Sequence, residues 1–284
     1  VNTAPLLTIL GSINIDLTSS VDAFPRPGET VLARALAREL GGKGANQARA
    51  AARLTGRARM IGAVGNDIDG TFALELLSAA GVDVAGVVRH AQPTGVAMIT
   101  VDRIGENTIV VNPGANHSLR ADEIRLEDAE VTLCQLEIPI DCVQAAAKQS
   151  KGFFAVNAAP AQQLPDIVVE ASDLIVVNDT EYAALPELRG ARCVAVTSGA
   201  DGAAIYRAGQ LTTRVKAFPA TVVNTVGAGD AFCAALTLCL ARGDSETNAL
   251  RTACAVGAAA VEDPRSQPDL DPLDHYAGAV ASGS

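Results

Sequence analysis

Gly227, Ala228, Gly229 and Asp230 stand where the apolar run Thr221 to Val226 meets a long apolar, helix-forming stretch. Small residues at a helix start leave backbone N–H groups unpaired and uncovered, free to converge on an anionic oxygen. The run before them is expected to be a strand that delivers this phosphate site. Asp230 then falls in the first helical turn, where the helix dipole favours an ionised carboxylate by roughly 0.3–1 kcal/mol at exposed sites. An ionised carboxylate can accept a proton. Four such common residues also suit an ordinary loop with an Asp at the helix start, and taken alone that is the better reading.

A second group of small residues stands early in the chain. Gly41, Gly42 and Gly44 precede a stretch of Ala and Arg that reads as a helix from about Ala45 to Leu54. Glycines let the backbone approach a ligand closely, and the helix start presents free donors. Lys43 and Asn46 add hydrogen-bonding groups suited to hydroxyls. No Ser or Thr follows Lys43 and the G-x-x-x-x-G-K spacing is absent, so this is not a Walker A loop. Upstream, the apolar run Leu6 to Leu10 ends at Gly11, after which Asn14 and Asp16 alternate with Ile13 and Ile15. Alternation puts the two polar side chains on one face of an extended segment past the carboxyl end of a strand, where open α/β sheets bind ligands. Turn chemistry by Asn and Asp accounts for the pair equally well.

The elements that must position these groups follow from periodicity. From Val131 onward, apolar strands alternate with helices: VTLCQLEI, a helix from Ile140 to Lys148, FFAVN, a helix near Ala161 to Glu170, DLIVVN and CVAVTSG. This is the signature of a parallel sheet buried on both faces. Glu137, Asn157, Asn178, Glu181, Thr197, Ser198 and Gly199 cluster at the ends of those strands. In the first half, Ala58 to Val64 reads as a further strand and Thr71 to Ala80 as a helix stopped by Gly81. Segments Thr30 to Glu39, Gly95 to Val101 and Asn107 to Val111 read as short edge strands, a small lid. Helices are expected from about Ala228 to Ala241 and from Thr247 to Val261, with only the last few residues frayed.

The chain has 284 residues, 49% hydrophobic content and 25 glycines, enough for one large α/β domain spanning residues 1–284. Its net charge of -10, with no Lys/Arg run, argues against nucleic acid as a partner. A small phosphate compound remains compatible, because a local nest of N–H groups matters more there than net charge. Six scattered cysteines with no C-x-x-C, and only three histidines, disfavour zinc and disulfide frameworks. Each cysteine reads as a small buried hydrophobe in a reducing compartment. The opening VNTAPLLTILGSINID carries no basic n-region, and its apolar run is too short for a membrane span, so a cytoplasmic location is expected.

Taken together, GSINID, PGET, GGKGANQA, QLEIP, NAAPA, NDTE, TSGADGA and NTVGAGDAF, in this order and spacing, resemble the ribokinase-like carbohydrate kinase family. The resemblance runs from Leu10 to about Pro268. It implies a mostly parallel central sheet flanked by helices, with a small β-sheet lid from segments of about 13–22, 30–38 and 94–110. It also implies a homodimer through the lid. Residues matching the family's sugar site are Asn14, Asp16, Gly42, Lys43, Asn46 and Glu137. Asn178, Thr197, Gly199, Gly202 and Gly229 would lie by ATP, and Glu181 by Mg²⁺, through water. Gly227, Ala228 and Gly229 would form the anion hole, and Asp230 would be the general base. The implied reaction phosphorylates the primary hydroxyl of a pentose, D-ribose first, with another sugar or nucleoside (fructose, deoxyribose, adenosine) as alternatives. Phe 6, Tyr 3 and no Trp leave few groups to stack on a base, which favours a bare sugar.

Three departures qualify the resemblance. Asn224 stands where the family has Asp at its monovalent-cation site, and Arg265 brings a positive charge to the other side of it. Weak or absent K⁺ activation is therefore expected. The segment between Glu181 and Cys193 is short for the family, which trims the nucleotide side. A sugar sensor that keeps the fold without turnover is the alternative of a different class.

Overall fold

In a computed structural model, residues 5–282 other than 127 are described. Residues 283–284, part of the tail expected to fray, lie outside them. The chain opens with β1 (Leu7–Leu10), β2 (Asn14–Ser20) and β3 (Ala35–Gly41), then α1 (Lys43–Thr55) and β4 (Ala58–Gly65). There follow α2 (Ile68–Ala79), β5 (Val82–His90), β6 (Gly95–Val101) and β7 (Asn107–Asn112). The alternating half carries β8 (Val131–Gln135), α3 (Ile140–Gln149), β9 (Phe153–Asn157), α4 (Asp166–Ala171) and β10 (Leu174–Asn178). It continues through α5 (Asp179–Ala184), β11 (Val194–Thr197), β12 (Ala203–Arg207) and β13 (Gln210–Val215). Helices α6 (Ala228–Ala241), α7 (Glu246–Glu262) and α8 (Leu273–Ser282) end the chain.

A nine-stranded sheet runs in the order β13-β12-β11-β10-β9-β8-β1-β4-β5. It is parallel except where β12 pairs antiparallel with β11 and β13. Apolar side chains fill both of its faces. On β1, Leu7 and Ile9 join one core with α1, α6 and α7, while Leu10 joins the other with α3 and α4. Burial on both faces explains why the strands read as unbroken apolar runs. A separate four-stranded sheet runs β3-β2-β6-β7. The α/β class with a large mostly parallel sheet and a small second sheet is as expected.

Several local expectations differ. Thr221 to Val226 forms no strand. Its N–H groups turn instead to the end of α7, where Val223 and Asn224 donate to the Val261 carbonyl at 2.8 and 3.1 Å, and Thr221 donates to Glu262 Oε1 at 2.8 Å. Apolar residues alone do not make a strand when another acceptor takes their donors. In the small sheet, β3 begins at Ala35, so residues 30–34 lie outside it and Glu39 to Gly41 lie inside. Helix α2 starts at Ile68 because Asp67 caps it, accepting from the Gly70 N–H at 2.7 Å. Helix α4 starts only after Pro165. Helix α8, which buries Leu273 and Tyr276, is a further element beyond those expected from the sequence.

Among the described residues, no helix is long and apolar enough to cross a membrane. All six cysteines are buried and unpaired.

Candidate active site

Two helix starts meet the carboxyl ends of β1, β8, β9 and β10. At the first, Gly42 caps α1 at φ 87°, and a Cβ there would lie 2.9 Å from the Asn14 N and 3.0 Å from the Ser12 carbonyl. At the second, Gly227 caps α6 at φ 78°, and a Cβ would lie 2.3 Å from the Ser266 carbonyl. Only glycine satisfies both the backbone and the space at these two positions. A Cβ on Gly229, by contrast, would meet nothing within 4 Å. Its lack of a side chain leaves room rather than allowing packing.

That room is a cavity of about 230 Å³, lined by Asp230, Gly227, Gly229 and Lys43 at one end. Asn178, Glu181 and Thr197 line it at the strand ends. Asn14, Asp16, Gly42, Asn46 and Glu137 sit around the Lys43 and Asp230 end rather than on the cavity wall. Glu137 Oε2 accepts from the Ser12 hydroxyl at 2.5 Å and from the Lys43 N–H at 3.1 Å, tying β8's extension to the start of α1. Asn14 Oδ1 accepts from Asn116 Nδ2 at 2.8 Å. Asn116 also accepts from the Ile13 N–H at 2.8 Å, so it locks the entry into β2. Gly41 leaves space for the Asp16 carboxylate, whose atoms would be about 2.1 Å from any Cβ there.

Asn178 and Glu181 cap α5 reciprocally: the Asn178 side chain accepts from the Glu181 N–H, and Glu181 Oε2 from the Asn178 N–H, both at 2.8 Å. Gly199 and Gly202 flank a short turn after β11 at φ 52° and 98°. Neither glycine lines the cavity, and Gly202 is held by backbone, the Val215 carbonyl lying 2.1 Å from its would-be Cβ. Ala228 opens α6, and its methyl group packs against the core beneath that helix.

Asp230 is 8% exposed. Its Oδ2 accepts from Asn46 Nδ2 and its Oδ1 from Gln47 Nε2, both at 3.0 Å. Burial pushes its carboxyl above the ordinary range, opposed by the Lys43 charge and the two amide donors. The helix start was expected to favour the ionised carboxylate, but the side chain is buried rather than exposed. Burial dominates, and neighbouring groups offset it. For Lys43, burial works against the ammonium, but Asp230 and Glu137 outweigh it and hold its pKa above the ordinary value. Asp16 is pushed up to about 6 by burial and then by Glu137, Glu39 and Asp230.

At the expected cation site, Asn224 Nδ2 donates to the Pro264 carbonyl at 3.1 Å and its Oδ1 accepts from the Val226 N–H at 3.0 Å. Arg265 does not direct a free charge there. Its guanidinium pairs with Asp263 at 2.5 Å and with Asp269 at 3.7 Å. Ser12, Gln47 and Asn116 were missed in the sequence because each reads as an ordinary strand-end, helix or turn residue. Their roles depend on partners 125, 183 and 103 positions away.

A helix-flanked parallel sheet, two glycine-capped helix starts and a buried carboxylate facing a shared cavity define a group-transfer enzyme of the sugar-kinase type. The profile of the pfkB family carbohydrate kinases matches residues 4–272, and the chain belongs to that family. It is a phosphotransferase that acts on a sugar hydroxyl. The chain is similar to a ribokinase of Bacillus subtilis, 36% identical over 87% of this chain and 89% of that one. A ribokinase of Haemophilus influenzae is 33% identical over 95% of this chain and 98% of its own. The structure of Arabidopsis thaliana ribokinase complexed with ribose and ATP superimposes with a TM-score of 0.87, at 27% identity over 96% and 98% of the two chains.

The Asp16 environment sets a test. Between its ordinary value of 3.8 and about 6, the folded protein keeps a proton that the unfolded chain has lost. Stability therefore falls as pH rises through that window, and the cost is complete above it. Asp16→Asn should be more stable than the parent at pH 8 by up to about 3 kcal/mol, at 1.4 kcal/mol per pH unit. In urea unfolding the difference should shrink toward zero by about pH 4.

Proposed function

We propose that this kinase transfers the γ-phosphoryl group of ATP to the primary hydroxyl of D-ribose, giving ribose 5-phosphate, with Asp230 as general base. The observation that carries the assignment of the base is the buried Asp230 carboxylate. Amide donors hold both its oxygens, and it faces the cavity beside Lys43. The substrate and nucleotide rest on the relatives' names and on the ribose and ATP of the plant structure.

Phosphoryl transfer asks for in-line positioning and neutralised charge rather than covalent work by the protein. Asp230 takes the hydroxyl proton, the freed oxygen forms a bond to the γ-phosphorus, and ADP leaves with the electron pair of the broken bond. Amides at Gly227 to Gly229 stabilise charge on the transferred group. Asp16 and Asn14 orient sugar hydroxyls from β2, with Gly42, Lys43, Asn46 and Glu137 around the other side. A buried Asp16 surrounded by carboxylates is an acceptor short of donors, which sugar hydroxyls supply. Asn178, Thr197, Gly199 and Gly202 lie on the nucleotide side.

The donor set on that side fits Mg²⁺, because such ions use one or two carboxylates plus substrate phosphates rather than an all-protein cage. Glu181, with Asn178, would hold it through water, and the ion would neutralise phosphate charge. At the monovalent-cation site the Asn224 amide already bridges to the Pro264 carbonyl, so a cation has no carboxylate from Asn224 to bind.

The small sheet forms the lid over the sugar and a homodimer contact. Met98 and Val110 share one of its faces and Ile109 and Val111 the other, each about half exposed or more. Apolar area of this kind on an edge sheet calls for a cover, and a second lid matches it in chemistry.

Three measurements test this reading. Asp230→Asn should keep ribose affinity within a few fold and lose at least about a hundredfold in kcat, as general-base removal does. Near-normal turnover would remove Asp230 from its role. At fixed ionic strength, replacing Na⁺ by K⁺ should change the rate less than about twofold, and a steep rise would show that the cation site works. In sedimentation, the parent should run as a dimer and Ile109→Asp with Val110→Asp as a monomer.

A further inference from the structure

Two chains of side-chain amides end on Asp230, and each starts from a group that can play only one part in a hydrogen bond. On one side, Arg49 Nη1 donates to Gln267 Oε1 at 2.5 Å, and Gln267 Nε2 donates to Asn46 Oδ1 at 2.9 Å. Asn46 Nδ2 then donates to Asp230 Oδ2 at 3.0 Å. A guanidinium has donors and no acceptor, so Gln267 must present its oxygen to Arg49 and its nitrogen to Asn46. Asn46 must in turn give Asp230 its nitrogen. On the other side, Asn157 Nδ2 donates to the Val176 carbonyl, an acceptor only, at 3.2 Å. Asn157 therefore shows its oxygen to Gln47, which donates to it at 3.1 Å and to Asp230 Oδ1 at 3.0 Å. Gln135 Nε2 closes this side by donating to Gln47 Oε1 at 2.6 Å.

We propose that Gln267 and Arg49 are positioning residues for the Asp230 base. By fixing the polarity of the first amide chain, they keep a donor, rather than the Asn46 oxygen, against the carboxylate. Turned the other way, Asn46 would set an oxygen against Asp230 and favour its protonated form. Gln267 is 7% exposed, so water does not substitute freely for its amide. Its loop also touches the small sheet, because the Ser266 hydroxyl donates to Glu39 Oε2 at 3.1 Å. The remaining charged or titratable groups around Asp230 are Lys43, Asp16, Glu137, Glu181 and Cys233. None of them hydrogen-bonds to Gln267 or Arg49.

This inference rests on the proposed base role of Asp230, so its test has an arm that does not need turnover. In the sugar-free full-length protein, the side-chain amide NMR signals of Asn46 and Gln47 report the ionisation of Asp230. Gln267→Met should move their pH midpoint upward by about half to one pH unit, the worth of one donor. In the kinase assay the acid limb of kcat should move by the same amount, with up to about a tenfold loss below it and little loss well above it. Arg49→Met, at a partly exposed position, should shift both readouts in the same direction by less.

If Gln267→Met folds cooperatively and neither midpoint nor limb moves, the inference is overturned. A uniformly lower kcat with an unmoved limb overturns it equally, since that marks a structural role. If the parent phosphorylates no sugar while the amide midpoint still moves, the proposed activity fails and the positioning role stands.

Discussion

A carboxylate withdrawn from water remains a base only where fixed donors replace the water it has lost. At Asp230 that replacement comes from Asn46 and Gln47 on α1, while Asp230 itself opens α6. The site therefore exists only if two helices far apart in sequence start within hydrogen-bond reach of each other. Much of the surrounding structure serves that condition. Gly42 and Gly227 let the two helix starts approach their neighbours, and β1, β8 and β9 carry the anchors Ser12, Glu137 and Asn157 to the same edge.

The same constraint explains an uneven distribution of polar groups in the core. Gln47, Gln135 and Asn157 are buried at the centre of an apolar sheet-and-helix interface. Each unmet amide there would cost on the order of 1–3 kcal/mol, and the chain of amides satisfies most of that demand internally. The Gln135 oxygen is left without a partner among the described residues, so one acceptor of the network stays unmet. Around Asp16, too many acceptors share too few donors. The Asp16 imbalance lies at the Lys43 and Asp230 end of the site, where hydroxyl donors would supply what is missing. A protein built for stability alone would have filled this region with hydrocarbon.

The loop at Asn224, where a monovalent-cation site is expected, shows how one atom changes the physics of a loop. An amide, unlike a carboxylate, can donate, and Asn224 uses its Nδ2 to grip the Pro264 carbonyl. Arg265 reads in the sequence as a free charge at that place. In the fold it is spent on Asp263 and Asp269, residues of its own turn. A charge listed by position says little until its partner is known.

By itself the sequence determined the family, the alternating strands and helices, and the glycine-rich starts of α1 and α6. These depend on short-range periodicity, on backbone conformations that few residues adopt, and on motifs whose members stand side by side. It also pointed to Asp230, Lys43, Glu181 and Asn224 as residues to weigh. Only the tertiary structure decided that Thr221 to Val226 is no strand, since its donors go to α7. The same is true of the burial that works against the ionised Asp230 carboxylate, and of the places taken by Ser12, Gln47, Asn116 and Gln267 around the site. Those outcomes rest on contacts across a hundred or more positions, and a side-chain amide looks the same in sequence whether it faces water or a buried carboxylate.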